Sequence, residues 1–188
     1  MIPARGRNRP RPGGVLASMT IRALTAPMWA ALLLAACGTD RGTPLDIDGD
    51  AAADLEIPVG ADLLQPWLAD RAYADFAGES AVHESSGPHG PVRTFLSPGL
   101  VASLETGAGV HPRGVAAIKE LYVGDTLDGW VVSVKIDDDS AGGAGWYWYE
   151  VFDPAPDAKP VVNGTSADGC VGCHDAGIDY VRIGFPLE

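Results

Sequence analysis

Three spacings of apolar residues succeed one another along the chain: an unbroken run, a helical stripe and a two-residue alternation. The run is Ala26–Ala36, too short for a permanent membrane-spanning helix, which needs about 20 apolar residues. The helical stripe lies in QPWLADRAYADFAG, where Leu68, Ala72 and Phe76 share one side and Asp70 and Asp75 lie off it. This predicts a helix over Gln65–Gly78, with Pro66 in its first turn and Gly78 as its stop. From there to about Gly114 the chain is broken by Pro88, Pro91, Pro98 and Pro112, and reads as loop with short strands, Val92–Leu96 being the best of them. Three strand signals follow: AAIKELY (Ala116–Tyr122), GWVVSVKI (Gly129–Ile136) and GWYWYEVFD (Gly145–Asp153). In the second, Trp130, Val132, Val134 and Ile136 alternate onto one face. Turn-like Asp125–Gly129 and Asp137–Gly145 separate the three, so an antiparallel meander is expected. The fold class is therefore α+β: an antiparallel sheet preceded by a helix.

Charge sharpens this picture. Of 13 Lys and Arg, five (Arg5, Arg7, Arg9, Arg11 and Arg22) precede Cys37, leaving eight against 25 Asp and Glu in the remainder. So acidic a surface argues against nucleic acid and against direct contact with an anionic membrane face. It suits solubility, or a basic protein partner.

The apolar run gains meaning from its flanks. One basic residue in MTIRAL precedes it and LAAC (Leu34–Cys37) ends it, as in a secretory signal whose first residue is Met19. LAAC resembles the lipobox of bacterial lipoproteins, which implies cleavage before Cys37 and lipidation of its thiol. Residues 1–36 are then a signal peptide and the protein is expected on the periplasmic face of a bacterial membrane, held by lipid alone. Gly38, not Asp, follows the cysteine, so inner-membrane retention is not indicated. Residues 37–60 read as an acidic tether and 61–188 as the folded domain. Within the tether Asp46, Asp48, Asp50 and Asp54 alternate as in a calcium loop. They form a single copy without flanking helices or a closing glutamate, and plain linker is the better reading.

With Cys37 lipidated, Cys170 and Cys173 are the only thiols left, and they stand in GCVGCHDAG (residues 169–177). Cys-x-x-Cys-His is the attachment pattern of haem c: two thiols form thioethers with the vinyl groups and the adjacent histidine, His174, binds iron. Zinc would need a fourth ligand from elsewhere. A thioredoxin-like disulfide would need a βαβ setting, which the pattern lacks. A C-terminal loop holding one covalent haem c is the expectation. The methionines, Met1, Met19 and Met28, all precede Cys37, so the mature chain has none for the sixth position. That leaves His83, His89, His111, a lysine, water or an open site, with His83 and His89 reading better as ordinary loop residues.

GVAAIKELYVGD (Gly114–Asp125), GWVVSVK, GWYWYEVFD and CVGCHDAGIDYVRIGFPL, in that order, resemble the cytochrome P-460 family and the related cytochromes c′-beta. The likeness covers roughly Gly114 to Leu187. It implies a mainly antiparallel sheet with helices, one haem c, His174 as proximal ligand and a vacant distal face. It also implies that Lys119, in IKEL, matches the lysine that cross-links to the porphyrin edge in cytochromes P-460. Family members are often dimers, which makes a homodimer the corresponding expectation. One departure stands out. Where hydroxylamine-oxidising members carry a distal carboxylate, this chain has Val131, which accepts no proton. Glu120, Glu150 or a loop histidine would have to substitute. The expected function is a lipid-anchored mono-haem protein that binds small nitrogen species, chiefly NO, and exchanges electrons with a redox protein. Oxidation of hydroxylamine would make it a haem-dependent oxidoreductase. The rivals are a six-coordinate, bis-histidine electron carrier and a structural lipoprotein without haem.

Overall fold

The computed structural model describes residues 55–188 apart from Ser166. The segment read as a signal peptide, Cys37 and the four alternating aspartates lie outside the described residues. The elements are α1 (Ala61–Ala69), β1 (Ala77–Gly78), β2 (His83–Glu84), β3 (Pro91–Leu96), α2 (Pro98–Glu105), β4 (Ala116–Val123), β5 (Thr126–Lys135), a 3-10 turn (Ala141–Gly143), β6 (Trp146–Val151), β7 (Val162–Thr165) and α3 (Asp168–His174). The strands form one seven-stranded antiparallel sheet in the order β1-β3-β4-β5-β6-β7, with β2 also on β3. The α+β class and the β4-β5-β6 meander are as expected. Among the described residues no helix is long and apolar enough to cross a membrane.

Both faces of the sheet are covered, which the alternation in β5 did not anticipate. Every residue from Gly129 to Lys135 is buried. On one face Ile118, Trp130, Val132, Val134, Tyr147, Tyr149 and Val151 pack with Leu64 and Leu68 of α1, and with Tyr73 and Phe95. On the other, Trp146 and Trp148 pack with Leu96, Leu100 of α2, Val115, Ala167 and Val181, and α3 lies against them through Cys170 and Val171. Tyrosine and tryptophan occupy such positions most readily where the polar tip finds a partner, as at Tyr149 and Trp130, whereas Trp146 Nε1 is buried without one. Tyr149 Oη donates to Gln65 Oε1 at 2.7 Å, and Trp130 Nε1 donates to Tyr73 Oη at 2.7 Å.

Several boundaries differ from expectation, each for a local reason. The first helix spans Ala61–Ala69, not Gln65–Gly78; Pro66 lies inside it, and Arg71 at φ 54° turns the chain away. Gly78 is a strand residue instead, with the Phe95 ring where a Cβ would stand. Ile57 and Val59, read as tether, are buried in the core beneath α1. Pro98, read as a breaker, occupies the first turn of α2, where its missing N–H costs nothing. The Ser97 hydroxyl before it accepts from Ala116 N–H at 2.9 Å, stitching that helix to β4. Finally, the Cys-x-x-Cys-His segment is a short helix, not a loop.

Candidate functional site

α3 sets the geometry of the site. Cys170 and Cys173 are one turn apart, and His174 is four residues after Cys170, so the helical repeat gathers all three on adjoining sides. Both cysteines are free thiols and half-buried. Burial pushes the Cys170 thiol up to about 11, with Glu150 and Cys173 adding to the effect. A redox-active Cys-x-x-Cys thiol is lowered, to about 7 or below, and Cys170 is shifted the other way. Among the described residues no three His, Cys, Asp or Glu side chains gather as they would around a metal ion.

His174 has its two nitrogens in different surroundings. Nδ1 lies 2.8 Å from the Tyr180 carbonyl, which can only accept, so Nδ1 carries the hydrogen and Nε2 keeps its lone pair. The ring stands edge-on to Trp148, centroids 5.0 Å apart. Burial, outweighing the Tyr180 hydrogen bond, holds its pKa below the usual histidine value, and Lys119, His89 and Arg182 depress it further. The imidazole is therefore neutral at pH 7 and able to ligate.

Beside α3 opens a cleft of about 420 Å³. Cys170, Cys173 and His174 form one wall, Val131, Trp148 and Glu150 of the sheet form the floor, and Pro88 and His89 of the β2–β3 loop lie at the rim. Cross-strand pairing explains the floor: Val131 faces Glu150 and Ser133 faces Trp148, which puts all four on one side of β5 and β6. A smaller hollow, about 30 Å³, adjoins it and shares His174, Val131 and Trp148. Lys119 lines that hollow, opposite Val131 on β5 and Thr94 on β3. Burial lowers the Lys119 pKa, with Arg182 adding and Glu79 and Cys173 opposing. Desolvation of this kind eases the loss of the proton that blocks a lysine nucleophile.

The remaining histidines and carboxylates separate clearly. His89 lines the cleft with Nδ1 3.6 Å from Glu150 Oε1. His83 lines a different cleft with Phe185, Pro186 and Glu188, and its Nε2 sits 3.0 Å from Glu79 Oε2. His111 is buried against Ser103 Oγ (2.8 Å) and the Ile178 carbonyl (3.2 Å), a structural post outside the cleft. Glu120 also falls out as a proton acceptor for the cleft. It projects to the opposite face of the sheet, fully buried, accepting from Tyr73 (2.7 Å), Tyr122 (2.6 Å) and Arg71 (2.9 Å). Glu150 alone of the two glutamates lines the site.

Tyr180 and Arg182 are site residues that sequence reasoning passed over. Arg182 Nη1 donates to the Cys173 carbonyl and lies 3.1 Å from its sulfur. Neither residue carries a spacing signal relative to Cys-x-x-Cys-His; they reach it because the chain doubles back after α3.

No protein-family model matches the chain, and no curated protein matches it.

A haem c fits this donor set. Two half-buried thiols lie on one helix, a neutral imidazole offers Nε2, and an open cleft adjoins all three.

Proposed function

We propose that this is an exported, lipid-anchored mono-haem c protein that binds small nitrogen species, chiefly NO. Cys170 and Cys173 would carry the thioethers and His174 Nε2 would bind iron. The observation that carries this reading is the His174 Nδ1–H bond to the Tyr180 carbonyl, which leaves Nε2 free beside two thiols on the same helix. The haem, when bound, supplies an iron that takes diatomic ligands and cycles between oxidation states. The chain's own residues shape access to it. Val131 and Trp148 supply the apolar part of the floor, where uncharged ligands are favoured, beside the Glu150 carboxylate, which disfavours anions. Glu150 and His89 are the titratable pair at its side, so any oxidation of hydroxylamine would pass its protons to them, Val131 having no means to accept one. Electrons would go to a redox protein partner. The resemblance to cytochrome P-460 supports the same reading, with Lys119 as the candidate cross-linker and a homodimer as the assembly.

One observation favours the rival, a bis-histidine electron carrier: His89 lines the same cleft as His174. Optical and mass spectrometry on protein made with haem-maturation machinery separate the two. A covalent porphyrin adduct with a high-spin spectrum that shifts on adding NO supports the proposal. A low-spin spectrum indifferent to NO supports the carrier. Absence of the adduct ends both, and Cys170→Ala with Cys173→Ala should abolish it.

A further inference from the structure

One residue before Tyr180, whose carbonyl meets His174, stands a member of a buried ion pair. Lys135, the last residue of β5, is fully buried with its Nζ 2.5 Å from Asp179 Oδ2, and Asp179 is almost as deeply enclosed. Three segments converge on that carboxylate. Lys135 donates from β5, the Ser140 hydroxyl donates from the β5–β6 connection, and the His111 backbone N–H donates from the loop before β4 at 2.7 Å. Lys135 also donates to Ser140 Oγ at 2.7 Å. A buried ion pair of this kind seldom stabilises a fold more than apolar residues of the same shape would.

Its place in the chain is more telling. Asp179 and Tyr180 are consecutive left-handed residues, φ 47° and 66°, and neither is glycine. They are the centre of a two-residue turn closed by Ile178 N–H to the Val181 carbonyl (3.0 Å) and Val181 N–H to the Ile178 carbonyl (2.9 Å). Both central residues of such a type I′ turn need positive φ, which suits Asn-Gly and is unfavourable for tyrosine. Strained residues of this sort persist only where the surroundings over-determine them. Here the surroundings are the three donors on Asp179. The strained residue next to it, Tyr180, supplies the carbonyl that accepts from His174 Nδ1.

We infer that the Lys135–Asp179–Ser140 cluster is a positioning device, clamping a strained turn so that the Tyr180 carbonyl fixes the tautomer and ring direction of His174. This rests on the proposed function for its purpose, though not for its geometry. With the clamp released, Tyr180 relaxes to negative φ, its carbonyl swings away, and the imidazole loses the partner that raises the basicity of Nε2.

The test uses Asp179→Asn, which keeps the turn's shape but removes the charge, and the double variant Lys135→Met with Asp179→Asn, which leaves no buried charge alone. Full-length protein is made with haem-maturation machinery. In the haem-loaded proteins the iron–histidine stretching band of the ferrous form should move to lower frequency in both variants, and the midpoint potential should rise, with porphyrin content unchanged. Band and potential identical to wild type in a folded, loaded variant would overturn the inference. If Asp179→Asn does not fold, the double variant is read. If wild type itself carries no porphyrin, the proposed function fails and ring ¹⁵N NMR of that protein decides instead. A pure Nδ1–H tautomer of His174 in wild type that becomes mixed in the variants upholds the clamp; one that persists unchanged refutes it.

Discussion

His111 illustrates how a single side chain can set a stability profile. It is enclosed by Ser103, Ile178 and the Asp179–Lys135 pair, and burial holds its pKa below the usual value, Lys135 adding and Asp179 and the Ile178 carbonyl opposing. The unfolded chain takes up a proton near pH 6.5 that the folded chain refuses, so stability is full above that pH and falls as pH drops below it. The slope has a ceiling of about 1.4 kcal/mol per pH unit for one group. Urea unfolding of wild type and His111→Asn between pH 7 and pH 5 should show the wild type losing more stability over that window. Equal losses would remove His111 from the account.

Lys119 makes the second prediction at this scale. If it is joined to the porphyrin, the loaded protein has a ferrous Soret band displaced to the red, and Lys119→Leu returns an ordinary c-type spectrum. A displaced band that survives the substitution would assign the effect elsewhere. Residue chemistry was also the most legible level in the sequence. Cys170, Cys173 and His174 are neighbours in the chain, so spacing alone puts them together. Lys119 and His174 are 55 positions apart by their numbers, and only the resemblance, not the spacing, linked them before the hollow they share was seen.

Among the elements, β3 to β6 were legible, whereas β1, β2, β7 and the helices were missed or misplaced. β4, β5 and β6 carry β-branched and aromatic residues between turn residues, so local preference and tertiary demand agree. α1 was misplaced because Leu68, Ala72 and Phe76 keep helical spacing past the point where Arg71 takes a left-handed conformation. α2 was missed because Pro98 reads as a breaker until one knows that it stands in a first turn. The strand pairing supplies a sharp test. At Gly129 a Cβ would run into the Val151 carbonyl on the neighbouring strand. Gly129→Ala should therefore force β5 and β6 apart and cost about 2 kcal/mol or more, read as a lower thermal midpoint. An unchanged midpoint would mean that the two strands are not in that register.

At the scale of the molecule, the two-sided sheet separates a packed face from the face that carries the candidate site. α1 and the Glu120 cluster with Tyr73, Tyr122 and Arg71 close one face. The other face is left to α3, Lys119, Val131, Trp148 and Glu150. Replacing Glu120 by leucine should therefore lower stability, by roughly 1–3 kcal/mol, mainly through the buried Tyr73 hydroxyl left without its acceptor, since Arg71 is half exposed and can turn to water. If haem is carried as proposed, the spectrum of the variant should stay as in wild type. A spectral change at constant fold would show that the faces are not independent.

By itself the sequence determined what depends on near neighbours: the Cys-x-x-Cys-His donor set, the strands of the meander and the acidic balance of the chain. Short-range spacing is enough for these because the helical and extended repeats translate directly into shared faces. Only the tertiary structure decided which histidine lines the cleft, which glutamate faces it, and that Tyr180 holds His174. Those are contacts between residues far apart in the chain, set by strand register and by the fold-back after α3, and no local pattern encodes them.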